Sequence, residues 1–244
     1  SSDEYSTREF RARFTEQAKA AADRADLIVA VSAFTAGQIE ALLGVERTRI
    51  RVVHHGVAVP PEISRQRKPV ILTVGAFQQR KNTVRLVEAF EQLDAPDWRL
   101  VIAGSPGYGA DRILARIEQS RKRAKIDLPG FISDAHREGL YREASIFAFP
   151  SLDEGFGMPV LEAMSYGAPV VTSNGSSLPE VAGDAALLVD PRDTPAIAKA
   201  LQRLIDDTDL RQRLGAAGVE RARRFTWRKA VDRTWDVYRE LRRS

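Results

Sequence analysis

Short apolar runs alternate with segments of helical periodicity along almost the whole chain, and this alternation constrains the fold more than any other feature. Most of the runs lack the polar alternation of a half-exposed strand, so they predict strands that are buried on both faces. Such strands, separated by amphipathic helices, are typical of βαβ units and indicate an α/β fold with a parallel sheet. We place strands at 27–31, 50–53, 70–74, 99–103, 146–149, 169–172 and 186–189, with a weaker one at 128–132.

Helical patterns fill the intervals between these strands. We expect Asn82 to be the N-cap of a helix whose inner side carries Val84, Leu86, Val87, Phe90 and Leu93. Further helices are predicted near 110–124, 135–144, 159–166, 194–206 and 208–241, the last one broken around Gly215, Gly218 and Phe225 to Thr226. The spacing of Trp227, Val231, Trp235, Tyr238 and Leu241 predicts that the end of this segment packs as an amphipathic helix.

One segment interrupts the alternation and predicts a domain boundary. Residues 59–69, "VPPEISRQRKP", combine three prolines with a run of charge and are interpreted as a linker. Residues 70–207 then contain enough strands and helices for a complete doubly wound, Rossmann-like domain. Residues 1–58 hold too little to bury a sheet of their own, so they are expected to be the closing part of a second Rossmann-like unit. Residues 208–244 are expected to be helices that pack back toward that first unit.

Composition bounds the function classes. The 244 residues are 43% hydrophobic and 29% charged, which is typical of a soluble globular protein. The chain has no cysteine, which excludes disulfides, thiolate metal sites and cysteine nucleophiles and favours the cytoplasm. The net charge is +4, and residues 211–244 carry eleven Arg or Lys against four Asp or Glu. This basic segment is interpreted as a solvated helix face or as a peripheral contact with an anionic membrane; nucleic acid is not an expected partner.

The segment "LDEGFGMPVLEAM", residues 152–164, places two acids around a glycine-rich loop between a strand and a helix. Parallel sheets bind ligands at the carboxyl ends of their strands, and the free N–H groups at a helix N-terminus favour phosphate. Glu154 precedes the loop, and Glu162 is expected in the first turn of the following helix. Pro159 is typical of the first turn of a helix, because its missing N–H would have no helical partner there. Carboxylates accept hydrogen bonds from sugar hydroxyls, so this spacing predicts a diphosphate flanked by two sugars. The alternative is purely structural: Glu154 caps a turn and Glu162 favours the helix dipole.

A second strand-to-helix turn, "GAFQQRKN" at residues 75–82, carries the opposite charge. Arg80 and Lys81 would provide countercharge for a diphosphate leaving group, or would form an exposed basic turn with no ligand. The sequence shows no histidine cluster, so no metal site or cofactor is predicted.

These segments resemble a known family. Residues 130–191, 75–82 and 25–57 are similar to the retaining GT-B glycosyltransferases of group 1, or family 4, with Glu154 and Glu162 matching the family's E-x7-E motif. The resemblance implies that Glu162 binds the nucleotide ribose, Glu154 binds the donor sugar, and Arg80 and Lys81 bind the diphosphate. It also implies that backbone near Phe131 and Ile132 contacts the base. The remaining donor-binding positions that it implies are Gly75, Gly155, Phe156, Gly157, Met158 and Pro159.

The resemblance implies transfer of a hexosyl unit, first of all mannosyl, from GDP-mannose or a UDP-sugar to a glycan or lipid-linked acceptor. Two positions depart from it, because Ala76 stands where many members have arginine and His55 where they commonly have asparagine. The acceptor-binding strands of the family would precede residue 1, so we expect a truncated protein or a second chain that supplies them. Three alternatives are a donor-binding module without turnover, a glycosidase that uses the two acids, and a nicotinamide enzyme, which lacks its G-x-G-x-x-G signature here.

Overall fold

Two parallel sheets organise the chain in the computed structural model, which describes residues 5–64 and 66–242. Residues 1–4, 65 and 243–244, which belong to the predicted first unit, linker and C-terminal segment, lie outside the described residues. The smaller sheet pairs β1 (Ile28–Ala30) with β2 (Ile50–Val52). The larger sheet contains β3 (Lys68–Val74), β4 (Arg99–Ala103), β5 (Ile126–Gly130), β6 (Ala144–Phe149), β7 (Val170–Ser173) and β8 (Ala186–Val189). The predicted α/β fold with parallel sheets is confirmed.

The strand order of the larger sheet is β5-β4-β3-β6-β7-β8, with every pair parallel. The chain therefore moves outward from β3 to β5, returns to the centre at β6, and moves outward again on the other side. The order reverses between β3 and β6, and the carboxyl ends of these two strands enclose the crevice in which open α/β sheets bind their ligands.

Ten helices flank the sheets in the part of the chain that the structure describes. They are α1 (Arg8–Arg24), α2 (Ala33–Leu43), α3 (Thr83–Gln92), α4 (Ala110–Glu118), α5 (Asp134–Glu143), α6 (Met158–Ser165), α7 (Leu178–Ala182), α8 (Thr194–Asp206), α9 (Thr208–Ala222) and α10 (Trp227–Leu241). Every residue of β6 and β7 is buried, since helices cover both faces of the larger sheet. The helix predicted at 110–124 ends six residues early, and a separate 3₁₀ turn follows at Arg123–Lys125.

The predicted breaks at Gly215 and Gly218 are wrong, because α9 runs through both glycines and ends only at Ala222. Tertiary packing explains these residues. A Cβ added at Gly215 would lie 2.6 Å from the carbonyl oxygen of Gly167, and one at Gly218 would lie 3.2 Å from the side chain of Met164. The glycines therefore let α9 approach α6 and the turn after it, and this contact outweighs the low helix propensity of glycine.

Replacing Gly215 by alanine is expected to lower the free energy of unfolding by about 2 kcal/mol, because the new methyl group would meet backbone that cannot rotate away. Gly37→Ala is the matched control, since Gly37 lies within α2 and, apart from that helix's own backbone, no atom of the described residues lies within 4 Å of a Cβ added there. This control should be neutral or stabilising by up to about 1 kcal/mol. Urea denaturation measures the free energy of unfolding of both variants. An equal change in the two variants would contradict the packing explanation.

Asn82 occupies the predicted N-cap position of α3, but its side chain forms no cap hydrogen bond. It lies in the left-handed region at φ 60°, and its buried amide donates to the carbonyl oxygens of Pro150 at 2.9 Å and Pro191 at 2.6 Å. The predicted N-cap position is therefore confirmed, although the side chain does not supply the cap hydrogen bond. Because asparagine tolerates this conformation and carries two amide donors, the residue joins the loops after β6 and β8.

The apolar face predicted to pack at the end of the chain is exposed. Trp227, Val231, Trp235 and Tyr238 are each more than half exposed, and Val237 is the buried residue of α10. The helix contacts the first unit through an ion pair between Arg51 and Glu240, 2.7 Å apart. The prediction of a packed face is therefore wrong for these side chains.

Candidate functional site

The loops that follow β3 and β6 meet at the reversal of the strand order. The loop after β3 includes Gly75 and the 3₁₀ turn Gln79–Lys81, and the loop after β6 extends from Pro150 to Gly157. The carbonyl oxygen of Arg80 accepts hydrogen bonds from the backbone N–H of Leu152 at 2.7 Å and the hydroxyl of Ser151 at 2.9 Å. These bonds hold the two loops against each other.

Glu154 lies between the two cations predicted for this site. Its Oε1 is 2.7 Å from Lys81 Nζ and 2.9 Å from a guanidinium nitrogen of Arg80, and it accepts a 2.7 Å hydrogen bond from Ser151. Among the described residues, the other carboxylate oxygen, Oε2, has no hydrogen-bond partner. The structure therefore brings Arg80, Lys81 and Glu154 together, as expected, and leaves one oxygen of the acid available.

Lys81 is largely buried, and its ammonium group also lies 4.6 Å from the centre of the Phe149 ring. Burial lowers the pKa of Lys81, because the charged form loses water; the attraction of Glu154 opposes this effect, and the repulsion of Arg80 adds to it. A lysine in this setting is a charge whose hydration is already incomplete, so it interacts more strongly with an incoming anion than an exposed lysine would.

Glu162 lies on α6 and is held by α5. Its Oε2 accepts a 2.9 Å hydrogen bond from the hydroxyl of Tyr141 and lies 3.8 Å from the guanidinium of Arg137. Burial, and then the neighbouring Glu162 carboxylate, raise the pKa of Tyr141 well above its ordinary value, so the phenol remains a donor. The Oε1 atom of Glu162 has no hydrogen-bond partner in the part of the chain described here. Glu162, like Glu154, therefore has one carboxylate oxygen that can accept a hydrogen bond from a ligand.

The loop between the two acids presents unpaired backbone N–H groups. Within the described residues, the N–H groups of Gly155, Phe156, Gly157 and Met158 donate no hydrogen bond. Gly157 is the N-cap of α6 at φ 106°, and a Cβ there would lie 2.7 Å from the side chain of Leu178. Consecutive free N–H groups at a helix N-terminus favour an anion.

The predicted position of Glu162 in the first turn of its helix is wrong. The helix begins at Met158, so Pro159 lies in the first turn as expected, but that turn contains no acid and Glu162 lies in the second turn. The dipole interaction expected of a first-turn carboxylate is therefore weaker at Glu162, since the effect falls off beyond the first turn. This result weakens the structural alternative for Glu162.

The other predicted donor-binding residues lie at the same edge of the sheet in different settings. Phe131 is 84% exposed and Ile132 half-buried, immediately after β5. A Cβ added at Gly75 would lie 3.5 Å from the Lys81 side chain. The Phe156 side chain is buried against the His54, His55 and Phe225 rings.

The first unit makes a set of contacts at this edge of the sheet that the sequence did not predict. Ser32 and Thr35, at the start of α2, both donate to the carbonyl oxygen of Gly155, at 2.6 and 2.8 Å. Glu180 of α7 accepts from the first N–H groups of α2 and lies 2.6 Å from His54 Nε2. The only sequence signal was the capping pattern of Ser32 before α2, which indicates a helix start and gives no partner.

The described residues contain neither a metal-binding cluster of side chains nor a membrane-spanning helix. No group of three or more His, Cys, Asp or Glu residues is arranged to hold a metal ion there. None of the helices described there combines the length and the apolar character that crossing a bilayer requires.

Comparisons with known proteins match nearly the whole chain. Residues 60–221 match the family described as "Glycosyl transferases group 1", and residues 2–59 match "Glycosyltransferase Family 4". The O-antigen chain mannosyltransferase B of Escherichia coli is 36% identical over 173 residues, which cover 70% of this chain and 45% of that protein. The chain spans about half the length of the curated relatives it matches.

Solved structures show the same fold. Sucrose-phosphate synthase from Thermosynechococcus elongatus superposes with a TM-score of 0.85 at 24% identity, covering 98% of this chain and 64% of that one. Anabaena Alr3699/HepE, solved in complex with UDP and glucose, has a TM-score of 0.81 at 18% identity, covering 93% and 67%. The predicted GT-B type fold is confirmed by these likenesses.

Proposed function

Because the chain belongs to the group 1 glycosyltransferase family, we propose that it is the donor-binding part of a retaining, metal-independent hexosyltransferase. The donor is a nucleotide diphosphate sugar, and the acceptor is a glycan or a lipid-linked glycan. The observation that carries this proposal is the arrangement at the reversal of the strand order. Two cations, the carboxylate of Glu154 and a run of N–H groups with no partner among the described residues come from two adjoining loops, and the carboxylate of Glu162 comes from α6. Together they match a diphosphate flanked by hydroxyl groups.

Each group has one part in this proposal. Lys81 and Arg80 balance the charge of the diphosphate, and the free N–H groups of the loop hold its oxygens and the donor sugar. The free oxygen of Glu154 accepts from a hydroxyl of that sugar, and the free oxygen of Glu162 accepts from the ribose. The exposed Phe131 and its neighbour Ile132 provide a surface for the base.

In the proposed reaction, the bond between the anomeric carbon and the diphosphate oxygen breaks while the acceptor hydroxyl attacks on the same face of the sugar. A phosphate oxygen of the departing nucleotide takes the acceptor proton. The protein stabilises the charge that develops on the leaving group, and this is the role that Lys81, Arg80 and the helix terminus suit. Neither acid needs to act as a nucleophile.

Mannose is the first candidate for the transferred sugar because a relative is named a mannosyltransferase. GDP-mannose is accordingly the first candidate donor. UDP-sugars are the second candidate, since a structural neighbour was solved with UDP and glucose. A thermal-shift screen against GDP, UDP and ADP sugars distinguishes the donors, because a ligand that binds the folded state raises the unfolding temperature.

Replacing Glu162 by alanine is expected to weaken binding of the preferred nucleoside diphosphate by about 1.5 to 3 kcal/mol, because a charge-assisted hydrogen bond to the ribose is lost. Calorimetry on the variant and on Glu118→Ala gives the measurement. Glu118 pairs with Arg123 at an exposed position on α4, so its removal should leave the affinity unchanged. Unchanged affinity of the Glu162 variant for both GDP and UDP would reject the ribose assignment.

The alternative is a module that binds the nucleotide sugar and does not turn it over. Donor titration and product assay on one sample distinguish the two functions. Tight binding with no transfer to added glycan and no hydrolysis of the donor would favour the module.

A further inference from the structure

The first turn of α2 is completed by a residue from the other unit. The carboxylate of Glu180 accepts from the N–H of Ala33 at 2.9 Å and from that of Phe34 at 3.3 Å, and Ser32 accepts from the N–H of Thr35 at 3.0 Å. The first three free N–H groups of the helix are therefore satisfied, and a negative charge faces its positive end.

Glu180 is itself fixed from two further sides. Its Oε1 lies 2.6 Å from His54 Nε2, in the turn that follows β2. The guanidinium of Arg221 donates to the carbonyl oxygens of Glu180 at 2.6 Å and Val181 at 2.9 Å, which holds the end of α7. The start of α2 is thus attached at a defined place beside the loop after β6.

The two hydroxyl groups at this helix start both point at one atom of that loop. Ser32 Oγ, fully buried, and Thr35 Oγ1 donate to the carbonyl oxygen of Gly155. The peptide that joins Gly155 to Phe156 is trans, so its N–H points away from its carbonyl oxygen. A carbonyl directed at α2 therefore leaves the N–H of Phe156 directed away from α2, and that N–H has no partner among the described residues.

We propose that Thr35 and Ser32 are positioning residues for the donor loop: they fix the Gly155 carbonyl so that the Phe156 N–H faces the distal phosphate and sugar of the donor, and Glu180 holds them in place. This inference rests on the proposed function, because it needs a diphosphate sugar at this loop. None of these three side chains has to touch the ligand. The first unit thereby sets the geometry of a binding loop that belongs to the other unit.

Thr35→Val tests the proposal, since it removes the hydroxyl and keeps the shape of the side chain. Calorimetry with two ligands of the preferred base, the nucleoside diphosphate sugar and the nucleoside monophosphate, gives the readout. We expect about fivefold weaker binding of the diphosphate sugar and unchanged binding of the monophosphate, which ends before the distal phosphate. Glu180→Ala should produce the same selective loss, and Thr35→Ser should restore wild-type binding of both ligands.

Thr48→Val is the matched control, since Thr48 lies in the same unit and its hydroxyl, among the described residues, forms one hydrogen bond, to Glu46 at 3.4 Å. Thermal unfolding of each variant without ligand separates a loss of stability from a loss of loop geometry. Equal weakening of both ligands in Thr35→Val, or no weakening of either, would overturn the positioning role while the proposed function stands. A wild-type chain that binds no nucleotide sugar would overturn the proposed function, and this inference with it.

Discussion

Replacing Glu154 by alanine is expected to lower the free energy of unfolding by about 3 kcal/mol or more, because the change leaves the largely buried ammonium group of Lys81 without its carboxylate. Ser151 loses its carboxylate partner in the same variant. Glu154→Gln should cost less, since the amide oxygen still accepts from Lys81. Urea denaturation of the two variants at neutral pH gives the comparison.

The control for this prediction is Glu143→Ala. Glu143 pairs with Lys68 at 2.7 Å, but both side chains are at least half exposed. Removing an exposed partner typically costs less than about 1 kcal/mol. If the two alanine variants lose the same free energy of unfolding, the prediction that burial makes the loss of Glu154 more costly is wrong.

Replacing Lys81 by methionine is expected to weaken binding of the nucleoside diphosphate about 100-fold, because the proposed diphosphate site would lose a poorly hydrated cation. The wild-type affinity should also fall as the pH rises through the pKa of Lys81, because the neutral amine attracts no anion. Since burial lowers this pKa, the fall should begin below the ordinary lysine range. Calorimetry across alkaline pH measures both effects.

Lys68→Met supplies the comparison, since the Lys68 side chain is 63% exposed and lies at the opposite, amino end of β3. It should keep the wild-type affinity and the wild-type fall with pH. The Lys81 variant should bind the nucleoside diphosphate weakly, and its affinity should no longer fall as the pH rises through the pKa of Lys81. A wild-type pH dependence that persists in the Lys81 variant would assign it to another group.

The central strands of the sheet were predictable from the sequence, because a strand that is buried on both faces, such as β6, contains a run of apolar residues. The expected burial on both faces is wrong for β1 and β8, where Val29 and Leu188 are each more than 40% exposed. Runs such as "IFAF" in β6 are apolar at every position, and all eight predicted strands have counterparts in the structure. The two charged loops were predictable for a related reason: each immediately follows a strand, and the carboxyl ends of parallel strands share one edge of the sheet.

The pairing of side chains across that edge could not be predicted in the same way. Lys81 and Glu154 are separated by 73 positions along the chain, and periodicity gives the face of an element without the partner that the face meets. Gly215 illustrates the same limit, because its helix propensity suggests a break and only the contact with Gly167 explains its place in α9. The contacts of Glu180 with α2 also depend on how two units meet.

The interior position of Asn82 has a consequence for the cations that precede it. Arg80 and Lys81 stand immediately before a residue whose amide is fastened to two separate loops, so the backbone that carries them has little freedom. This backbone therefore loses its conformational entropy when the chain folds, and binding of an anion does not have to order it again. We expect this turn to be preorganised for anion binding, so that binding carries a small entropic penalty here.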